Sequence, residues 1–296
     1  MQKSKNPPAT APITAPIVEY YNETGLDYGS WSKEFNMHFG YWRWPFNPLR
    51  RERMLEEMNL QVIQRLQLTE ADQSIFDLGC GLAAPARSLA RVHPGKRITG
   101  VTIVPWQVQK AEALNRAAGL DEQISLLQAN YLQIPLPAGA ADAAYALESC
   151  CHSPGLDKAL FVEELHRILR PGGRFVLVDG CTKTPARQWN PVFRRCMNTV
   201  CAGWALPAFP DLAGLKRQLE TAGFEDIQAE DISWQVAPSA LHSPWCVARF
   251  IFQKWREGEK LNRVRWGHLK ACLLGLVLGM HRQHFGYYMI SGKKGA

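Results

Sequence analysis

The sequence has no apolar run long enough to cross a bilayer. Its most hydrophobic stretch, Ala271 to Met280 (ACLLGLVLGM), falls far short of the roughly 20 residues a spanning helix needs and reads as a buried or interfacial helix. The N-terminus (MQKSKNPPATAPITAP) lacks the apolar centre of a secretory signal. Its repeated Pro and Ala favour a disordered lead over residues 1–16, and export is not expected. Cysteine is present, but the residues at 80, 150, 151, 181, 196, 201, 246 and 272 form neither a dense framework nor two separated CxxC pairs. That usage suits a reducing compartment and a cytoplasmic location, with no metal site expected. There is no internal repeat. No recognised nucleic-acid motif accompanies the positive charge, so nucleic acid is not an expected partner.

What is present is a chain of 296 residues, 46% hydrophobic, which can bury a sizeable core. Its net charge of +7 is uneven: Arg249 to Lys294 holds ten Lys and Arg against two Glu, a local +8. The basicity is therefore a C-terminal property. It marks either a solvated helix face or a surface for anionic lipid, that is, a peripheral membrane contact.

From Ser74 onward apolar segments alternate with helical ones, the order of an α/β fold with a parallel sheet wound by helices. Strands are predicted at 74–79, 97–103, 123–128, 141–147 and 173–179, with helices near 84–92, 105–118 and 157–169. The last of these helices stops at LRPGG, which turns into the next strand. A helix near 211–222 ends at Gly223, an alternating strand follows at 225–234, and FGYYMISGKK is the final strand. Residues 236–283 are too many for an ordinary connection and are predicted to be a helical substrate cap inserted before that last strand. Residues 17–60 form a helical, aromatic-rich lid and 181–210 an irregular loop full of Trp, Phe and Pro. The core is assigned to 61–235 and 284–296.

The first strand ends in FDLGCGLAAPARSLA, Phe76 to Ala90. A strand, a Gly-x-Gly turn and a helix start let a ligand approach the backbone closely, because glycine has no Cβ. Asp77 stands two residues before Gly79. A carboxylate there is poorly placed for a pyrophosphate at an anion-welcoming helix end, and well placed for a cationic cofactor such as an amino acid ammonium attached to a sulfonium. The end of the second strand, GVTIVPWQVQKA, lacks the acidic residue expected for a dinucleotide ribose; Thr102 and Gln107 are its polar groups.

On these residues the chain resembles the class I S-adenosylmethionine-dependent methyltransferases, within them the group of sterol C24-methyltransferases, tocopherol methyltransferases and cyclopropane fatty acid synthases. DLGCGLAAPAR is similar to D-x-G-C-G-x-G-G-P-x-R, with Ala83 and Ala84 where glycines are usual. ANYLQIPLP resembles G-D-x-x-x-L-P-F with Asn130 in place of Asp, ESCCHSP is similar to E-A-T-C-H-A-P, LRPGGRF matches L-K-P-G-G-x-F, and YYNETGLDYGSW with MHFGYW resembles the Tyr-rich lid. The resemblance implies a doubly wound, Rossmann-like sheet of seven strands with the last antiparallel, and S-adenosyl-L-methionine as cofactor. Asp77, Gly79, Gly81, Thr102, Ile103, Gln107, Asn130, Tyr131, Leu147 and His38 would hold it. Gln107 would bond the ribose, Asn130 would accept from the adenine amino group, and His38 would lie near the methionine end. Gly40 stands about where cyclopropane synthases have a bicarbonate-binding Cys, which argues against cyclopropanation.

The run ALESCCHSP (146–154) packs two thiols, an imidazole and a carboxylate together. Adjacent Cys150, Cys151 and His152 without a second ligand pair make a poor structural metal site. A thiol nucleophile is not needed for direct methyl transfer either. Glu148, at the end of the fourth strand, and His152 are the candidate proton acceptors, the competing role being hydrogen bonds that tie the loop together. The many Trp residues in the lid and loops suit a hydrophobic acceptor: a sterol, a terpenoid or a prenylated ring, methylated on carbon. The alternatives are N- or O-methylation of a polar small molecule, and a cofactor-binding protein without turnover.

Overall fold

The structure, a computed structural model, describes residues 11–296, and residues 1–10 of the expected lead lie outside the described residues. A seven-stranded sheet organises the chain. In sequence order its strands are β1 (Ser74–Leu78), β2 (Arg97–Thr102), β3 (Ile124–Gln128), β4 (Ala141–Leu147), β5 (Leu169–Thr182), β6 (Phe224–Asp231) and β7 (Phe285–Lys294). In space they run β3-β2-β1-β4-β5-β7-β6, with β7 antiparallel to both its neighbours and the β1–β2, β1–β4, β2–β3 and β4–β5 pairs parallel.

Side-chain alternation makes the sheet two-faced. Ile75, Ala143, Tyr145, Val176, Val178 and Met289 point one way, into a core closed by α2 (Arg51–Leu66), α3 (Ala84–Val92), α4 (Pro105–Ala117) and α8 (Ser233–Ala240). Phe76, Ala144, Ala146, Phe175, Leu177 and Ile290 point the other way, against α5 (Ala159–Ile168) and α7 (Leu212–Thr221). On α5 the apolar residues Phe161, Val162, Leu165 and Ile168 recur at helical spacing and are buried; each such side chain contributes about 1.5–3 kcal/mol by leaving water.

Several expected boundaries move. Residues 11–16 of the expected disordered lead are helical, as the start of α1 (Ala11–Thr24). The lid is helical only at its ends: residues 31–50 carry no helix, as Pro45, Pro48 and Asn47 favour turns, and α2 runs across the expected limit at residue 60. RPGG does not end before the fifth strand but lies within it, looped out where pairing jumps from Ala141–Leu169 to Ala143–Arg174. The strand predicted to reach residue 234 stops at Asp231, whose Oδ1 accepts from both the backbone N–H and the hydroxyl of Ser233 and so starts α8.

The largest miss is within 181–210, which is not irregular throughout. Pro191–Gly203 is a helix, α6, with Asn190 Oδ1 accepting from Phe193 N at its start and Phe193, Cys196, Met197 and Val200 buried along one face. It packs on α10 (Arg263–Met280), so closely that a Cβ on Gly203 would lie 2.4 Å from the Gly267 carbonyl oxygen. With α9 (Ser243–Arg256), α8 and α10 fill the stretch between β6 and β7, so the chain there is helical as the pattern suggests. Together α1, α6 and the 233–280 helices stand over the carboxyl ends of β4 and β5.

Candidate active site

The turn after β1 is shaped by residues with positive φ: Gly79 at +89°, Gly81 at +52° and Ala83 at +58°. A Cβ on Gly79 would sit 2.5 Å from Cβ of Ser149, so glycine there lets the loop after β4 close on the turn. Ala83 carries the strain of a left-handed conformation, about 1–2 kcal/mol. Its fully buried methyl, packed in the core, offsets roughly 0.8 kcal/mol of that. The motif's usual glycine can thus be replaced without losing the turn.

A cleft opens beside this turn, lined by Asp77, Gly79, Gly81, Thr102, Ile103, Gln107, Asn130, Tyr131, Leu147 and His38, together with Thr14, Ile17 and Tyr21 of α1. The residues singled out in the sequence for the cofactor are therefore brought together. Asp77 is buried, and its Oδ2 accepts from Tyr145 Oη at 2.9 Å; burial raises its carboxyl to about 7 despite that hydrogen bond. An ammonium partner is what such a group lacks. Thr102 donates its hydroxyl to Gln107 Oε1 at 2.6 Å, which leaves the Gln107 amide NH2 to face a ribose oxygen. Tyr131 is committed to the Ser149 carbonyl at 2.8 Å and contributes its ring to the wall.

Asn130 and His38 also hydrogen-bond within the protein. Asn130 Oδ1 already accepts from Leu132 N at 2.9 Å, closing a local turn, and it is Nδ2 that is buried without a partner. Nδ2 is thus a donor suited to a ring nitrogen, and Oδ1 keeps a second lone pair for the expected amino group. His38 does reach the cleft, with Nδ1 2.8 Å from the Phe39 carbonyl and Nε2 3.1 Å from Asn36 Oδ1; a neutral ring has one N–H and donates to one of these two acceptors, according to its tautomer. Burial lowers it to about 4, so it is a neutral wall of the site. The residues present fit an ammonium, a ribose and an adenine edge.

Next to the cleft lies a mainly apolar cavity of about 580 Å³, between the lid, the carboxyl ends of the strands and the 233–280 helices. Tyr21, Met37, His38, Glu148 and His152 line both spaces. Glu148 leaves β4 with φ +50°, the left-handed region, a strain of the kind that gathers at functional sites. Its Oε1 accepts from Phe39 N at 2.6 Å and from the Tyr287 hydroxyl. Burial pushes its carboxyl up to about 8 against those two hydrogen bonds, with the nearby Asp179 adding to the rise. His152 is buried with Nε2 3.1 Å from Tyr21 Oη, and burial holds it at about 4.

The ESCCHSP loop is held from below. Lys158, fully buried, donates to the carbonyls of Cys151 (3.2 Å), Ser153 (2.6 Å) and Ala208 (2.7 Å). Asp179 Oδ2 accepts from Cys151 N at 3.0 Å and Cys150 Sγ at 3.3 Å. The two thiols pack the loop, and burial raises both above their ordinary range, which keeps them protonated. No group of three or more His, Cys, Asp or Glu side chains that could hold a metal occurs among the described residues. Tyr21, Asp179 and Tyr287 were not singled out from the sequence. Tyr287 lies 139 residues from Glu148, and no local pattern reports that pairing.

A family model described as "Methyltransferase domain" matches residues 76–177, the span from β1 through most of β5. Over 209 residues the chain is 32% identical to an O-methyltransferase of Pyrenophora dematioidea, taking in 68% of this chain and 73% of that protein. The chain belongs to the class I S-adenosylmethionine-dependent methyltransferases. It is also 31% identical over 243 residues to 24-methylenesterol C-methyltransferase 2 of Oryza sativa subsp. japonica, with 80% of this chain and 62% of that protein covered. It spans 48% to 62% of the length of the first curated relatives it matches. A solved mycolic acid cyclopropane synthase shares this methyltransferase fold with a TM-score of 0.79 at 14% identity, covering 95% of this chain and 98% of that one. In this methyltransferase, however, a Cβ on Gly40 would lie 2.6 Å from the Met54 backbone, so the lid meets α2 where no side chain fits.

Proposed function

We propose that this methyltransferase transfers the methyl group of S-adenosylmethionine to a carbon of a hydrophobic, lipid-like acceptor, a sterol, a terpenoid or a prenylated ring, with Glu148 receiving the proton. The observation that carries this is that, among the described residues, Glu148 is the one carboxyl lining both the cofactor cleft and the apolar cavity. When bound, S-adenosylmethionine supplies an electrophilic methyl group on a sulfonium. The cavity positions the acceptor and excludes water. If an alkene is the nucleophile, its π pair would form the new C–C bond as the methyl–sulfur bond breaks and leaves its pair on sulfur, and positive charge would remain on the acceptor. Rings of Tyr21, Trp31, Phe39 and Tyr287 line the cavity and can stabilise that charge. The ionised Glu148 carboxylate then takes the proton from the adjacent carbon, and the double bond re-forms. His152, at about 4, orients Tyr21 and can pass a proton on but does not retain one at neutral pH.

The similarity to the O-methyltransferase of Pyrenophora dematioidea favours a second reading, transfer to oxygen. Incubation with methyl-labelled S-adenosylmethionine and a panel of sterols, terpenoids, prenylated quinols and amines separates the two. Label extracted into organic solvent and located on carbon is expected. Label on oxygen or nitrogen alone would overturn C-methylation, and label confined to polar acceptors would overturn the lipid-like substrate.

A peripheral membrane contact belongs to the same proposal, in a cell compartment that keeps the eight free thiols reduced. No helix among the described residues is long and apolar enough to cross a membrane. Yet Leu49, Leu241 and Trp245 are each more than two-thirds exposed on a groove between lid and cap that also carries Arg50, Arg53 and Arg249. Leu241, Cys246 and Phe250 line both this groove and the inner cavity, which makes the groove the approach to it. Exposed apolar side chains among cations suit an anionic lipid surface. In sedimentation, the protein is expected to bind vesicles of phosphatidylcholine with phosphatidylserine, to bind phosphatidylcholine alone weakly, and to be released by salt. Equal binding to both would remove the electrostatic part of this proposal.

A further inference from the structure

Away from the cofactor cleft, one group of polar side chains in the cavity wall is unused by the chemistry above. Tyr20 and Tyr28 of the lid and His268 of α10 line the cavity but not the cleft. Tyr20 Oη is 2.7 Å from His268 Nδ1 and 3.2 Å from Tyr28 Oη, so the three form one hydrogen-bonded chain. Its inner end is closed: His268 Nε2 is 3.6 Å from Cys272 Sγ, and Tyr20 and His268 are buried. Its outer end, Tyr28, is half-buried.

We propose that Tyr28, backed by Tyr20 and His268, anchors an uncharged oxygen, a hydroxyl or a carbonyl, on the part of the acceptor remote from the methylated carbon. The proposal rests on the lipid-like acceptor reading above and narrows it. Two hydrogen bonds among three neutral groups leave a hydrogen-bonding position on Tyr28, and which kind depends on the imidazole tautomer. With Nδ1 as acceptor, Tyr20 donates to His268 and Tyr28 to Tyr20, so the Tyr28 oxygen accepts from the ligand. With Nδ1–H as donor the chain reverses, and Tyr28 donates. A hydroxyl fits both arrangements and a carbonyl the second. Burial holds His268 at about 4 and raises both tyrosines, so the chain is uncharged at neutral pH. The neighbouring Arg265 is taken up by Asp27, with two contacts of 2.8 Å, and by Glu259. Arg282, elsewhere in the cavity wall, donates from Nη2 to Asp231 at 2.7 Å, while its Nη1 is buried without a partner. With Arg265 committed and the Tyr20–Tyr28–His268 chain uncharged, this part of the wall suits a neutral oxygen.

The test is equilibrium binding of farnesol, farnesene and farnesyl diphosphate to the whole chain with S-adenosylhomocysteine present. Wild type is expected to hold the alcohol about tenfold more tightly than the hydrocarbon, the worth of one hydrogen bond. Tyr28→Phe and Tyr20→Phe should each bring that ratio near one while leaving farnesene and S-adenosylhomocysteine affinities unchanged, which shows that the variants are folded. Equal affinity of wild type for alcohol and hydrocarbon, a ratio that survives in both variants, or tighter binding of the diphosphate overturns the anchor alone. Failure of wild type to bind the alcohol and the hydrocarbon at all overturns the lipid-like acceptor reading, and the anchor with it.

Discussion

Replacing Glu148 with Gln is expected to lower kcat by about 10²-fold or more while leaving S-adenosylmethionine binding unchanged, because the amide keeps the shape and the acceptor oxygen but cannot take a proton. The fold should tolerate the change. Burial raises this carboxyl from 4.5 to about 8, so between those values the unfolded chain loses the proton first and the wild-type fold becomes less stable as pH rises. A neutral amide lacks that penalty, and the variant should be at least as stable as wild type above pH 5. The same shift predicts the rate profile. The base is active only when ionised, so wild-type kcat/KM should rise about tenfold per pH unit below pH 8 and level off above it, and residual turnover in the variant should lose that dependence. Near-normal turnover of Glu148→Gln would leave the carboxyl as a loop tie, its hydrogen bonds to Phe39 N and Tyr287 being the whole of its role.

The second large effect is expected on cofactor affinity. Asp77→Asn should weaken S-adenosylmethionine and S-adenosylhomocysteine alike by about 10²-fold, since both carry the ammonium and a buried charge pair is worth several kcal/mol when one partner is removed. Because burial sets Asp77 at about 7 before a cation arrives, binding below that pH must first expel a proton. Wild-type affinity should therefore fall about tenfold per unit as pH drops below 7, and the Asn variant should show a flat profile. Calorimetry over pH 5.5 to 8.5 (about three units) reads both. An Asn variant that binds nearly as well as wild type would mean that the ammonium lies elsewhere.

The elements easiest to read in the sequence were those whose pattern reports burial directly. Helix α3 falls at 84–92 as predicted, and β1 to β4 fall within a residue or so of their predicted limits, because apolar alternation and helical spacing record which side faces a core. Helix α6 was legible too, from Asn190, Pro191 and the spacing of Phe193, Cys196, Met197 and Val200, but its Trp, Phe and Pro content suggested a loop. The end of β6 was not legible, since the contacts that draw Ser233 out of the sheet include Tyr287 N donating to its hydroxyl from a distant strand.

For the site, the sequence by itself determined the half that follows one βα turn after another: Asp77, Gly79, Gly81, Thr102 and Gln107 are placed by strand ends and tight turns, whose geometry is local. It also singled out Glu148, because a strand end in an open parallel sheet is where ligands meet the protein. Only the tertiary structure decided what surrounds that carboxyl. Tyr287, Asp179, Tyr21 and the Tyr20–Tyr28–His268 chain come from separate elements, up to 248 residues apart. Their protonation depends on how much water the lid and the 233–280 helices exclude. Desolvation is a property of the whole packed enclosure, and no short run of residues encodes it.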